Sequence, residues 1–152
     1  MEYSYSHVNN GSFLECKVTY DRVADDGMLK KVTEPYIVKA VSFTDAETTI
    51  IDYIAPFTSG DFLVKGIKRC KFTEIIMDKS GSRYYKCSLD YITVNEKNGM
   101  EKRIASLILV QASSVEEVIA NVKSFMKGSL AEYIITKIEE TAIMDVCNET
   151  IK

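Results

Sequence analysis

A chain of 152 residues, 46% hydrophobic and 27% charged with only two prolines, has the composition of a folded globular domain, which excludes a disordered or fibrous protein. Its net charge of −3 argues against a simple polyanion binder, which carries a clear positive surplus, although binding depends on where charge sits and not on the total. No apolar run is long enough to cross a bilayer, and the opening MEYSYSHVNNGS lacks the basic and apolar regions of a secretory signal, so a cytoplasmic protein is expected.

Residues 1–11 are polar and read as a flexible N-terminal segment. A first strand follows, with Leu14, Cys16, Val18 and Tyr20 on one face and Glu15, Lys17, Thr19 and Asp21 on the other. Asp26-Gly27 then supplies the positive backbone angles of a hairpin turn, and a second strand carries Tyr36, Val38 and Ala40. Pro35 has no N–H to donate, which places that point of the strand at an edge or a bulge. In SFTDAE a hydroxyl precedes an acid by three positions, at Ser42/Asp45 and Thr44/Glu47, the spacing of a capping box. The helix it starts has an apolar stripe of Ala46, Ile50, Tyr53, Ile54 and Phe57 and should stop near Pro56. A third strand is expected in KGIKRCKF.

The second half repeats the first. At an offset of 71, Cys16, Val18 and Tyr20 meet Cys87, Leu89 and Tyr91. One extra residue in the second turn moves the offset to 72, where Asp26-Gly27 meets Asn98-Gly99, Met28 meets Met100, and Lys30-Lys31 meets Lys102-Arg103. Val38, Ala40 and Ser42 meet Val110, Ala112 and Ser114, and Ser114/Glu117 repeats the helix start. Val118, Val122, Phe125 and Met126 repeat the stripe, with Gly128 at its end. The offset then returns to 71, where Phe62, Ile67 and Phe72 meet Tyr133, Ile138 and Ile143. Matches this long and in register indicate an internal duplication.

The expected fold is therefore α+β: two ββαβ repeats, 12–79 and 80–147, forming one globular unit, with 148–152 as a C-terminal tail. A helix returning from strand two lets strand three run parallel to it, with strand one between them, giving antiparallel-rich sheets ordered 2-1-3, each with one packed helix. Two copies related by pseudo-two-fold symmetry would share a buried layer that a single small repeat lacks.

Read together, FLECKVTY, DGMLKKVTEPYIV, SFTDAE, SGDF, IKRCKFTEI, YYKC, LVQASS, MKGSLAEYII and TAIMDV resemble a family of uncharacterised proteins from Bacteroidetes and their phages, domain of unknown function 4494. The resemblance covers roughly residues 12–147. It implies no activity and no catalytic residues. A phage setting, with the host cytoplasm as location, favours roles in genome replication, expression or host takeover by association alone.

Enzymatic chemistry finds little support. The single histidine, His7, lies in the polar N-terminal segment, and Cys16, Cys70, Cys87 and Cys147 are far apart, without the paired spacing of a zinc site. Buried thiols in a reducing compartment are the simpler reading. Glycines are scattered at turns instead of forming a phosphate loop, and Asp25/Asp26 and Glu139/Glu140 are adjacent acids that a strand sends to opposite faces. A non-enzymatic protein without cofactor or metal is expected.

The copies differ most in strand three, where Glu139 and Glu140 stand in place of Lys68 and Arg69. In one reading Lys65, Lys68, Arg69 and Lys71 form a basic strip, extended by Lys30, Lys31, Lys102 and Arg103, with Phe72 and the nearby Tyr36, Tyr84 and Tyr85 able to stack on bases. The protein is then a single-stranded DNA- or RNA-binding accessory protein in phage or bacterial DNA replication. No helix is basic enough to enter a major groove. In the other reading this strip meets the acidic strip Glu132, Glu139 and Glu140, making an interaction module or homo-oligomeric adaptor with no nucleic-acid role.

Overall fold

The computed structural model describes residues 12–58 and 60–147, so His7, the 1–11 segment and the 148–152 tail lie outside the described residues. The elements are β1 (Ser12–Val23), β2 (Leu29–Ala40), α1 (Phe43–Ile54) with a 3₁₀ turn (Ala55–Phe57), β3 (Phe62–Arg69) and β4 (Glu74–Ile76), then β5 (Arg83–Val94), β6 (Glu101–Ala112), α2 (Val115–Met126), β7 (Glu132–Glu140) and β8 (Val146–Cys147). The fold is α+β, with two four-stranded sheets ordered β3-β1-β2-β8 and β4-β6-β5-β7. Each contains the expected 2-1-3 core, with β1 antiparallel to β2 and β3, and β5 antiparallel to β6 and β7.

The local signals act through the same bonds in both repeats. Ala24 N–H donates to the Met28 carbonyl (2.8 Å) around a turn in which Gly27 has φ 84°, and Asn95 N–H donates to Met100 (2.9 Å) around Gly99 at φ 71°. Among the described residues only glycines take positive φ; Asp26 and Asn98 instead use side-chain oxygens to accept the N–H of Met28 and Met100. The longer second turn therefore absorbs its extra residue with the same closing chemistry. Ser42 Oγ accepts from Asp45 N–H at 3.0 Å, and Ser114 Oγ accepts from Glu117 N–H at 3.2 Å. The carboxylates reach back one residue beyond the cap, to the N–H of Val41 and Ser113. Each pair of bonds satisfies donors that a helix start would leave without partners.

The chain forms two compact units, one running to Cys70 and resuming at Ile143, the other spanning Lys71–Ala142. The repeat boundary at 79/80 marks where the pattern begins again, whereas compactness changes at 70/71 and 142/143. The third strands also end earlier than KGIKRCKF suggests. Cys70 N–H still bonds the Phe13 carbonyl (2.9 Å), but β3 ends at Arg69, and Lys71 and Phe72 lie outside it. Beyond that point β4 pairs in parallel with β6 in the second unit, and β8, at the corresponding place in the duplication, pairs in parallel with β2 in the first.

In the first unit, Leu14, Cys16 and Val18 of β1 and Tyr36, Val38 and Ala40 of β2 pack on Ala46, Ile50 and Ile54 of α1, with Cys147 of β8 closing the cluster. In the second, Cys87, Leu89, Ile108 and Val110 pack on Val118, Val122 and Met126, with Ile76 of β4. Each fully buried branched side chain contributes about 1.5–3 kcal/mol relative to exposure. Pro35 fits because β8 pairs only with Ile37 and Val38; its carbonyl accepts Met144 N–H (2.9 Å) and no N–H is needed there. Neither repeat signalled the bulges, at which Lys65 and Thr136 are extra residues opposite Lys17/Val18 and Ser88/Leu89.

Two outcomes test this packing. Ending the chain after Ala142 removes Asp145 and Cys147, and amide exchange should accelerate in β2 and α1 more than in β5 and β6. A Cβ at Gly81 would sit 2.5 Å from Ala112 Cα, so Gly81→Ala should destabilise by about 1–3 kcal/mol in chemical denaturation, the cost of an overpacked contact.

Candidate functional site

Of the nine candidate residues, Lys68 and Arg69 in the first unit lie on opposite faces of their sheet. On β3, Lys68 stands opposite Glu15, with Nζ 3.9 Å from Oε1. Arg69 stands opposite the core residue Leu14, so it points to the helix side, where its guanidinium lies 5.2 Å from the Phe43 ring centre and donates to Ser12 Oγ (3.1 Å). Neighbours on a strand face opposite ways, and Lys68 and Arg69 are divided between the two faces. Lys65 is the exposed residue of the bulge. Lys71 is exposed and Phe72 half-buried in the segment opening the second unit.

The hairpin cations are similarly engaged. Lys31 is 3.6 Å from Asp21, and Lys30 is opposite Arg22, which is itself 3.7 Å from Glu34. Asp21 lies six residues along β1 from Glu15, about 20 Å at ~3.3 Å per residue, so Lys31 and Lys68 are far apart. In the second unit Arg103 bridges Asp90 (3.5 Å) and Glu101 (3.8 Å), while Lys102 is opposite Thr93. Among the described residues Lys30, Lys65, Lys71 and Lys102 have no ion pair.

The charge reversal on the third strands is matched across the ladder. Glu15 opposite Lys68 becomes Lys86 opposite Glu139, and Ser12 bonded to Arg69 becomes Arg83 paired with Glu140 at 3.6 Å. Both members of each pair changed together. The described part of the first unit carries eight basic and ten acidic residues and the second unit ten of each, so neither has a positive surplus.

Two features escaped the sequence reading. The first is the exposed apolar tip of each hairpin: Val23 (64% exposed), Met28 (67%) and Leu29 (69%) in one, Val94 (59%) and Met100 (65%) in the other. Their signal was the match of Met28 with Met100 beside a turn, where an apolar pair has no core to fill. The second is Glu34, buried on the helix side of β2, whose Oε1 accepts the hydroxyls of Tyr20 (2.9 Å) and Tyr36 (3.2 Å). Burial, and then the neighbouring Glu34, push both phenols above their usual range, so they are neutral donors at physiological pH. Beside this cluster a groove of about 440 Å³ is lined by Tyr20, Arg22, Val23, Leu29, Phe57 and Asp61.

Three of the four thiols, Cys16, Cys87 and Cys147, are poorly placed for nucleophilic work. Burial pushes Cys16 up to about 11, with added repulsion from Cys70 and Glu15, pushes Cys87 up to about 11, and raises Cys147 further. These thiols stay protonated at neutral pH, and the thiol form is the unreactive one. Among the described residues no three His, Cys, Asp or Glu side chains converge as a metal-holding group, and no helix is long and apolar enough to cross a membrane.

A protein of two ββαβ repeats with paired surface charges and apolar hairpin tips is thus the class that the structure defines. The chain belongs to the family described as a domain of unknown function (DUF4494), whose family model matches residues 12–149. No curated protein and no solved structure matches it.

The cross-strand match is testable by a double-mutant cycle. Lys68→Glu should cost up to about 1 kcal/mol, and adding Glu15→Lys, which recreates the arrangement of the second repeat, should restore it with a coupling of about 0.2–1 kcal/mol.

Proposed function

We propose that this chain is a non-enzymatic protein-interaction module that presents its hairpin tips to a protein partner. The observation that carries this reading is the exposure of Val23 and Met28, and of Val94 and Met100, at equivalent places in both repeats. A hairpin tip needs only turn residues for its fold, and exposed apolar groups there lose nothing to solvent once a partner covers them. The charged side chains contribute less, because Lys68, Arg69, Lys31 and Arg103 already have partners within their own sheets.

The competing reading is a single-stranded nucleic-acid-binding accessory protein in phage or bacterial replication. Its support is the set Lys30, Lys65, Lys71 and Lys102, exposed and without ion pairs among the described residues. Binding through these would fall steeply with salt.

A photo-crosslinking amino acid at Met28 or Met100 should form discrete protein adducts in the native cell, and the same group at Glu47, on the exposed side of α1, should not. Equal labelling from all three positions would sink the module reading. So would saturable binding of labelled single-stranded DNA or RNA at low salt that disappears in Lys65→Glu/Lys71→Glu.

A further inference from the structure

We infer that the groove between the first hairpin and the turn after α1 is an anchor site for a basic peptide segment, one that inserts an aromatic or large aliphatic side chain and places Lys or Arg beside it. This rests on the interaction-module reading and names the site and the chemistry of the partner.

The walls of the groove differ between the repeats. Its apolar walls include Leu29 and Phe57; in the second repeat Glu101 stands in place of Leu29, and Gly128-Ser129 takes the place of Pro56-Phe57. Beneath it the difference recurs, because Arg22 and Glu34 become Thr93 and Ser106. Glu34 is held by Tyr20 and Tyr36 and ion-paired to Arg22, and Tyr20 and Arg22 both line the groove. A buried carboxylate carries a desolvation cost even when paired. The second repeat builds the same hairpin, helix and core without one. The fold therefore does not require Glu34, whereas the groove does, since Glu34 fixes the orientation of two of its lining side chains.

The shape selects a peptide over a small molecule. Val23, Leu29 and Phe57 are 64%, 69% and 71% exposed, so the site is an open surface groove and not a closed cavity. A small ligand in it would stay largely wet, whereas sites for such ligands bury most of the ligand surface. A side chain on a peptide that continues over Leu29 and Phe57 would cover these walls as it fills the groove. About 440 Å³ accommodates one large side chain with room for its neighbour.

Charge selects a basic peptide. Arg22 is committed to Glu34, and Lys31 to Asp21. Around the groove, the charges without an ion pair among the described residues are Asp61 on its wall and Asp25 and Asp26 in the adjoining turn, against Lys30. Complementary charge steers the approach and fixes the register, while the apolar anchor supplies most of the affinity.

The test pans a displayed library of short random peptides on the whole chain. Enriched sequences should combine Phe, Tyr, Trp, Leu or Met with Lys or Arg. Their binding should weaken about tenfold or more in Phe57→Ser, in Leu29→Ser and in Asp61→Lys, and be unchanged in Thr48→Ala, an exposed position on α1. Leu29→Ser guards against loss of the Phe57 contact with Tyr53, whose ring lies 5.4 Å away. Absence of enrichment, acidic binders, or binders indifferent to these substitutions would overturn the groove assignment. If adducts still form at Met28 or Met100 in that case, the module reading survives and only the groove fails; if they do not, both fail.

Discussion

Everything in each unit depends on the central strand, β1 or β5, being hydrogen-bonded on both sides while one of its faces is closed by a helix. With period-2 alternation, placing Leu14, Cys16 and Val18 against α1 sends Glu15 and Lys17 to the other face. A slip of one residue would put Glu15 and Lys17 into the core. The register that this forbids slipping is also what sets Lys68 opposite Glu15 and Glu139 opposite Lys86. The surface electrostatics are thus a consequence of how the core packs.

Duplication turns that constraint into a comparison within one molecule. Features present in both copies, such as the serine caps, the glycine turns and the bulges at Lys65 and Thr136, are what a ββαβ unit of this kind needs to form. Features in one copy only are not needed by the copy that lacks them. Glu34 with Tyr36 and Arg22, and the walls Leu29 and Phe57, fall in the second group and lie side by side. Reversed charges in β3 and β7 look at first like another such difference. Each is matched by its neighbour across the ladder, so the pairs preserve local neutrality and give neither strand a strong field.

Much of this was legible from residue order. Strand faces, turns, caps and helix stripes are written within a few positions of one another, and the 2-1-3 order follows from the handed path of a ββαβ chain. The offsets of 71 and 72 located equivalent residues to the position, including the extra residue in the second turn. What local pattern could not reach was the end of β3 at Arg69 and the assignment of β4 and β8, which are too short to carry a period of their own.

The amino-acid sequence by itself determined the repeat, the fold class and the side chains that make each core, because those follow from short-range alternation and from turn and cap chemistry that acts over two to five residues. Only the tertiary structure decided which charges have partners, that Lys68 meets Glu15 while Arg69 meets Ser12 and Phe43, and that Tyr20, Glu34 and Phe57 meet beside one groove. Those relations join residues tens of positions apart, and they exist only once strand register and helix placement have brought the backbone segments together.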